Sequence, residues 1–349
     1  MNRNETSFAN AFLPAPCDGG FSMEGYWVWC GSVIKAEDGL YHMFASRWPK
    51  TLPFHPGWGM ESEIVRATSK TPEGPYTFAE VVLGYRGPEY WDGRCAHNPS
   101  IQKHGDTYVL FYVGSTHPYA RVPHDGSLNQ LSYQWICARS NKRIGIATSK
   151  SITGPWLRRD APILDVRADA YDNFFTSNPA PCINPDGSCL LIYKTRSYLK
   201  APFASDETFG AMALGAAYAP RYDGAYQRLT DKPLFDIKQG VLEDTFIWRT
   251  EKGYAMIAKD WKGSYTGDVG SVVYAASRDG VTWEMQNHPA FSRNVLWDDG
   301  VTRTMGNMDR PFILFDGDTM THLFVATNDG NDAGFATMTR SWNACIPLK

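Results

Sequence analysis

"HNPSIQKHGDTYVLFYVGS", residues 97–115, reads as two short apolar strands joined by a turn containing Gly. Its Pro cannot donate to a central ladder, so it belongs at a strand's first residue or on an edge. The stretch has four relatives in the same chain: "WCGSVIKAEDGLYHMFAS" (29–46), "SNPAPCINPDGSCLLIYKTR" (177–196), "EDTFIWRTEKGYAMIAKD" (243–260) and "DRPFILFDGDTMTHLFVAT" (309–327). Aligned, they place Gly31, Pro99, Pro179, Thr245 and Pro311 in register, at spacings of 68, 80, 66 and 66 residues.

A second hairpin follows most of the first. "IVRATSKTPEGPYTF" (64–78), "IGIATSKSITGPWLR" (144–158), "LGAAYAPRYDGAYQRL" (214–229) and "VVYAASRDGVTWEM" (272–285) each enter a Gly turn from small residues and leave through Tyr or Trp. Four strands per unit and five units predict an all-β fold, a five-bladed β-propeller of four-stranded antiparallel blades. The expectation is a single domain over residues 1–349, with blades beginning near 29, 97, 177, 243 and 309. The fifth unit offers "AGFATMTRSW" (333–342) as its third strand and little after it. An N-terminal strand within residues 8–23 is therefore expected to close the ring. The competing reading is a β-sandwich, which needs no unit of this length.

Composition narrows the function. The 349 residues are 43% apolar with a net charge of −3, which gives no general attraction to nucleic acid or acidic membranes. No apolar run is long enough to span a bilayer. The N-terminus lacks an apolar h-region, so the expectation is a cytoplasmic chain if complete, periplasmic or secreted if a leader was removed. The seven Cys include no CxxC pair and read as mostly buried free thiols. Twelve Trp suit a β-rich core or a sugar-binding cleft.

In a propeller the first strand of each blade lines the central channel, and the second returns to the same face. First-strand starts, second-strand ends and the loops between blades therefore meet on one rim. Around the ring the first-strand starts read Trp29, His97, Ser177, Glu243 and Asp309, followed by Cys30, Asn98, Asn178, Asp244 and Arg310. Second-strand ends supply Arg47, Trp48, Lys194, Arg196, Lys259 and Trp261, and the loops leading in carry Trp91, Asp92 and Asp172. The loops above, "RWPKTLPFHPGWGMES" (47–62), "THPYARVPHDGSLNQLSYQWICARS" (116–140) and "SYLKAPFASDETF" (197–209), are rich in aromatics and His. Carboxylates beside Arg, Lys and His at a channel mouth mark a functional site. For any one of them the alternative is a structural ion pair closing the hub.

Five blades, Asx-Pro at first-strand starts, and the T-S-K-x-x-x-G-P-Y/W pattern at 68–76 and 148–156 resemble the five-bladed glycoside hydrolases of families 43 and 117. The resemblance covers about residues 25–340. It implies a glycosidase acting on an oligo- or polysaccharide. For family 43 it implies an Asp general base in blade 1, an Asp that modulates pKa, and a Glu general acid in blade 4. Glu243 matches the acid position, with Thr245 where Pro would stand. Cys30 occupies the base position and Asn178 the modulator position, so that machinery is incomplete and its substrate class does not transfer. Family 117 uses a His as acid, for which this chain offers no assigned counterpart.

Glycoside hydrolysis needs two carboxyl groups flanking the bond. A thiol at neutral pH is a poor base, so the partner of Glu243 is sought among Asp244, Asp309, Asp92 and Asp172, with His97 as a proton carrier. Side chains alternate along a strand. Glu243 is therefore expected to face the channel and Asp244 to turn away, with Asp309 equivalent one blade on. Arg47, Arg196 and Arg303 read as substrate cations, suggesting an acidic or sulfated sugar; the alternative is that they neutralise the rim aspartates. Trp29, Trp48, Trp91 and Trp261 offer faces for sugar stacking. Asn98, Asn178, Lys194, Lys259 and Arg310 complete the candidate binding set. No metal or nucleotide motif occurs, and a channel cation such as Ca²⁺ is left open. The expected function is an exo-acting hydrolase releasing a terminal sugar from a plant- or algal-type glycan, with Glu243 as proton donor. A non-catalytic carbohydrate-binding propeller and a polysaccharide lyase are the alternatives.

Overall fold

The computed structural model describes residues 1–5, 7, 8, 10–200 and 208–349; part of the expected blade 3 loop (197–209) lies outside them. Blade 1 is β1 (Tyr26–Lys35), β2 (Tyr41–Pro49), β3 (Glu63–Ser69) and β4 (Thr77–Leu83). Blade 2 is β5 (Cys95–His104), β6 (Thr107–Ser115), β7 (Arg143–Ser149) and β8 (Leu157–Arg158). Blade 3 is β9 (Phe175–Ile183), β10 (Cys189–Tyr198), β11 (Phe209–Ala219) and β12 (Gln227–Arg228). Blade 4 is β13 (Leu242–Thr250), β14 (Gly253–Asp260), β15 (Val272–Ser277) and β16 (Trp283–Met285). A small hairpin, β17 (Asn294–Leu296) and β18 (Thr302–Thr304), precedes blade 5, which is β19 (Asp309–Asp316), β20 (Thr319–Asn328) and β21 (Ser341–Pro347). Strand order within every blade follows the sequence, and all neighbours are antiparallel. β1, β5, β9, β13 and β19 touch one another in turn and form the inner wall of the ring.

Blade 5 differs from its sequence reading. Residues 329–340 are a loop on the rim, and the third strand starts at Ser341. The N-terminal segment meets the outer edge of β21 at one antiparallel bridge, Phe21 to Asn343, with reciprocal backbone hydrogen bonds of 2.9 Å. Further bridges join Phe12 to Leu348 and Asn2 to Thr319. Phe8, Ala15 and Phe21 are buried in the core that continues through blades 4, 5, 1 and 2. Separate apolar clusters fill the spaces between blades 2 and 3 and between blades 3 and 4.

The repeat also fixes how each blade packs. In blade 2 Trp91 stacks on Tyr112 at 5.7 Å, both lying over Gly145, where a Cβ would come 2.5 Å from the Trp91 ring. In blade 3 Tyr171 and Tyr193 lie over Gly215 in the same way. The small residues of the third strands leave room for these rings.

Among the described residues two short helical segments rise over the rim: α1 (Phe54–Glu61), after β2, and α2 (Tyr133–Ser140), after β6. No helix of the described chain is long and apolar enough to cross a membrane.

Candidate active site

Every inner strand carries the same irregularity where it enters the sheet. Cys30, Asn98, Asn178, Asp244 and Arg310 have φ of 59°, 53°, 47°, 54° and 51°, the left-handed region that non-Gly residues seldom adopt. The pairing register slips at each of these places, so each is a β-bulge. Asn and Asp tolerate this conformation best; Cys30 and Arg310 hold it because the surrounding ring leaves them no alternative.

The bulge overturns the expected alternation. Glu243 and Asp244 both line one cavity, as do His97 with Asn98 and Asp309 with Arg310. The cavity, about 360 Å³, sits at the mouth of the central channel.

Beneath it runs a chain of side chains from the five bulges. The Cys30 thiol donates to Asn98 Oδ1 at 2.6 Å, Asn98 Nδ2 to Asn178 Oδ1 at 2.8 Å, and Asn178 Nδ2 to Asp244 Oδ1 at 2.6 Å. Arg310 lies 3.7 Å from the same Asp244 oxygen. Burial drives the Cys30 thiol well above its ordinary value, so it stays protonated, consistent with its exclusion as a base. Burial and the neighbouring Glu243 raise Asp244, although Arg310 pulls the other way.

Above this row stand two carboxylates held by different partners. Glu243 receives hydrogen bonds from Lys194 Nζ and Trp261 Nε1. Burial alone would raise its carboxyl, but Lys194, then Lys259 and Trp261, outweigh that and hold it below its ordinary value. Asp309 is paired with Lys259, which also donates to Asn307 Oδ1 at 2.8 Å. Burial pushes Asp309 up to about 7 against the pull of Lys259, with Asp244 and Glu243 adding repulsion. His97 bonds Ser62 Oγ through Nδ1 at 2.8 Å and stacks on Trp58 at 4.7 Å. Burial, then Arg310, Lys142 and Lys194, drive its pKa well below the ordinary value, so it is neutral.

The walls are aromatic. Trp29, Trp48 and Trp261 face the cavity as expected, and Phe54 and Trp58 of α1, Trp135 of α2, Phe175 and Phe335 join them. Sequence reasoning flagged the loops that carry α1 and α2 but singled out none of their residues. It also missed Lys142, which follows α2 directly and whose ammonium lies 3.9 Å from the Phe175 ring centre. Asn98, Asn178, Lys194, Arg196 and Arg310 also line the cavity. Lys259 stands behind Asp309, reaching the site through that ion pair.

Other candidates lie elsewhere, for clear reasons. Asp92 is fully buried and accepts from Arg86 Nε at 2.6 Å and Tyr112 OH at 2.7 Å, with Arg158 at 3.4 Å. Asp172 repeats the arrangement with Arg167, Arg228 and Tyr193, each at 2.9 Å. Both are blade-fastening groups, not sugar ligands, and Trp91 packs beside Asp92. Arg47 pairs with Glu63 at 2.7 Å and stacks between Tyr26 and Phe78 on the flank of blade 1. Arg303 pairs with Asp299 on the β17–β18 hairpin. Among the described residues no group of three or more His, Cys, Asp or Glu is arranged to hold a metal ion.

No protein-family profile matches the sequence, and no curated protein does. Solved structures do match. A family 117 glycoside hydrolase produced by the marine bacterium Zobellia galactanivorans superposes with a TM-score of 0.67 at 16% identity, over 100% of this chain and 92% of that one. The α-L-arabinofuranosidase of Podospora anserina, solved with cellotriose, gives 0.62 at 12% identity, over 99% and 98%. A thermostable family 43 glycoside hydrolase gives 0.59 at 14% identity, over 97% and 92%. At these identities the likeness is one of fold: the chain is a five-bladed β-propeller of the architecture those hydrolases use.

Proposed function

We propose that the protein is a glycoside hydrolase that removes a terminal sugar from a plant- or algal-type glycan. The observation that carries this reading is the pair Glu243 and Asp309 in one aromatic-walled pocket, with surroundings that push their protonation apart. Carboxyl groups held in opposite states are what acid–base hydrolysis requires. The activities of the structural neighbours support it, and a pocket narrowed by the loops bearing α1, α2 and Phe335 supports exo-action. We infer a division of roles other than the expected one, with Glu243 no longer the donor. Asp309, raised to about 7 and so half protonated near neutral pH, is the better proton donor, and Glu243, held ionised by Lys194, is the better base or nucleophile.

Substitution separates the roles. Asp309→Asn should lose natural glycan turnover yet keep much of its rate on an aryl glycoside whose phenolate leaves without a proton. Glu243→Gln should lose both. The opposite pattern returns the donor role to Glu243, and full activity in both variants removes the reading altogether. Neutral His97 in one pocket with Lys142 favours a second reading, a lyase, with His97 taking the proton next to a uronate carboxylate. An unsaturated product absorbing in the ultraviolet would identify it. Binding without any turnover across a glycan panel would instead mark a non-catalytic carbohydrate-binding propeller.

A further inference from the structure

Three of the cations at the pocket already hold carboxylates: Lys194 holds Glu243, Lys259 holds Asp309 and Arg310 faces Asp244. Lys142 is different. It is only 5% exposed. Its backbone is pinned, the carbonyl accepting from Thr176 N at 3.3 Å and from Arg143 Nη1 at 2.8 Å. The ammonium lies between aromatic rings, 3.9 Å from the centre of Phe175 and 5.1 Å from that of Trp58, and it has no carboxylate partner among the described residues. Burying an ammonium without an anion is costly: burial, then Lys194 and Arg139, drives the Lys142 pKa well below its ordinary value, with Glu243 pulling the other way, and an anion beside it would restore the charge. Cation–π contact offsets only part of that cost. The side chain lines the same cavity as Glu243 and Asp309, so an anion arriving there would complete it.

We propose that Lys142 recognises an anionic substituent, so that the sugar seated over Glu243 and Asp309 carries a carboxylate or a sulfate group. The inference rests on the pocket being a sugar site.

Calorimetric binding to the whole protein tests this without requiring turnover. The probes are galacturonate, glucuronate and galactose 6-sulfate, each against its neutral parent, galactose or glucose. Wild-type protein should prefer the charged member by about tenfold, the scale of one charge-assisted hydrogen bond. Lys142→Met, which keeps the apolar stem, should bind charged and neutral members alike, while Lys142→Arg should retain part of the preference. The uronate and sulfate arms decide which anion is meant. Equal binding of charged and neutral sugars by the wild type, binding of none of them, or a preference that survives Lys142→Met overturns the proposal. Should the Met variant fail to fold, the wild-type preference and the Arg variant still decide. Hydrolysis of neutral glycosides without charge preference would defeat this inference and leave the glycosidase reading standing. Lys142-dependent uronate binding without turnover would do the reverse.

Discussion

Glu243 and Asp309 occupy equivalent places one blade apart, yet their environments differ. Glu243 has two donors, Lys194 and the Trp261 indole, and stays ionised; Asp309 has one cation and two nearby carboxylates, and is raised to about 7. If Asp309 gives the proton, kcat/KM should fall as pH rises above about 7, and Asp309→Asn should erase that limb in a pH–rate profile of the free enzyme. The same shift bears on stability. The folded chain holds the Asp309 proton more tightly than the unfolded chain does. Its stabilising contribution is thus complete below the ordinary value of 3.8 and is lost as pH rises through about 7. Denaturant titrations at about pH 5 and about pH 8, inside and above that window, should show a smaller loss in Asp309→Asn than in the wild type. Glu243 was legible from the sequence because it starts a strand that repeats. The state of its proton was not, since that depends on Lys194 and Lys259 arriving from strands before and after it.

The bulges act on whole strands. A strand that alternates strictly would send Glu243 and Asp244 to opposite sides; the left-handed residues of β5, β13 and β19 bring adjacent polar groups to the same cavity. The repeat revealed the strands but not their bulges, because a bulge is a property of pairing with the next strand. Asn98→Gly and Asn98→Ala both delete the links to Cys30 and Asn178. The Ala variant should be less stable by a further ~1 kcal/mol, the cost of a Cβ at positive φ, read from denaturant midpoints. The third strands are constrained in another way. Gly145→Ala would set a Cβ 2.5 Å from the Trp91 ring. It should destabilise by about 1–3 kcal/mol through overpacking, with the unfolding midpoint lowered and the slope unchanged.

Ring closure couples the two ends of the chain. The fifth blade has three regular strands, and the N-terminal segment takes the outer edge through Phe21 and its bridge to Asn343. Phe21 is almost wholly buried, so Phe21→Ala should cost about 3–5 kcal/mol. Because no residue of the segment lines the pocket, sugar affinity at low temperature should change little; a thermal melt beside a binding titration checks both.

Local patterning was enough to give the blade unit, its copy number and the order of residues around the rim, because strand alternation and Gly turns are written in neighbouring positions. It could not tell Asp92 and Asp172 from Glu243 and Asp309. All four are acidic and lie near the same rim, but the first two are claimed by Arg158 and Arg228 from the fourth strands of their blades. Nor could it supply Trp58, Trp135 or Lys142, which sit on or beside short helical segments without any repeat. Those assignments were made when the blades closed into a circle, since charge pairing, burial and access to one cavity are relations between distant parts of the chain.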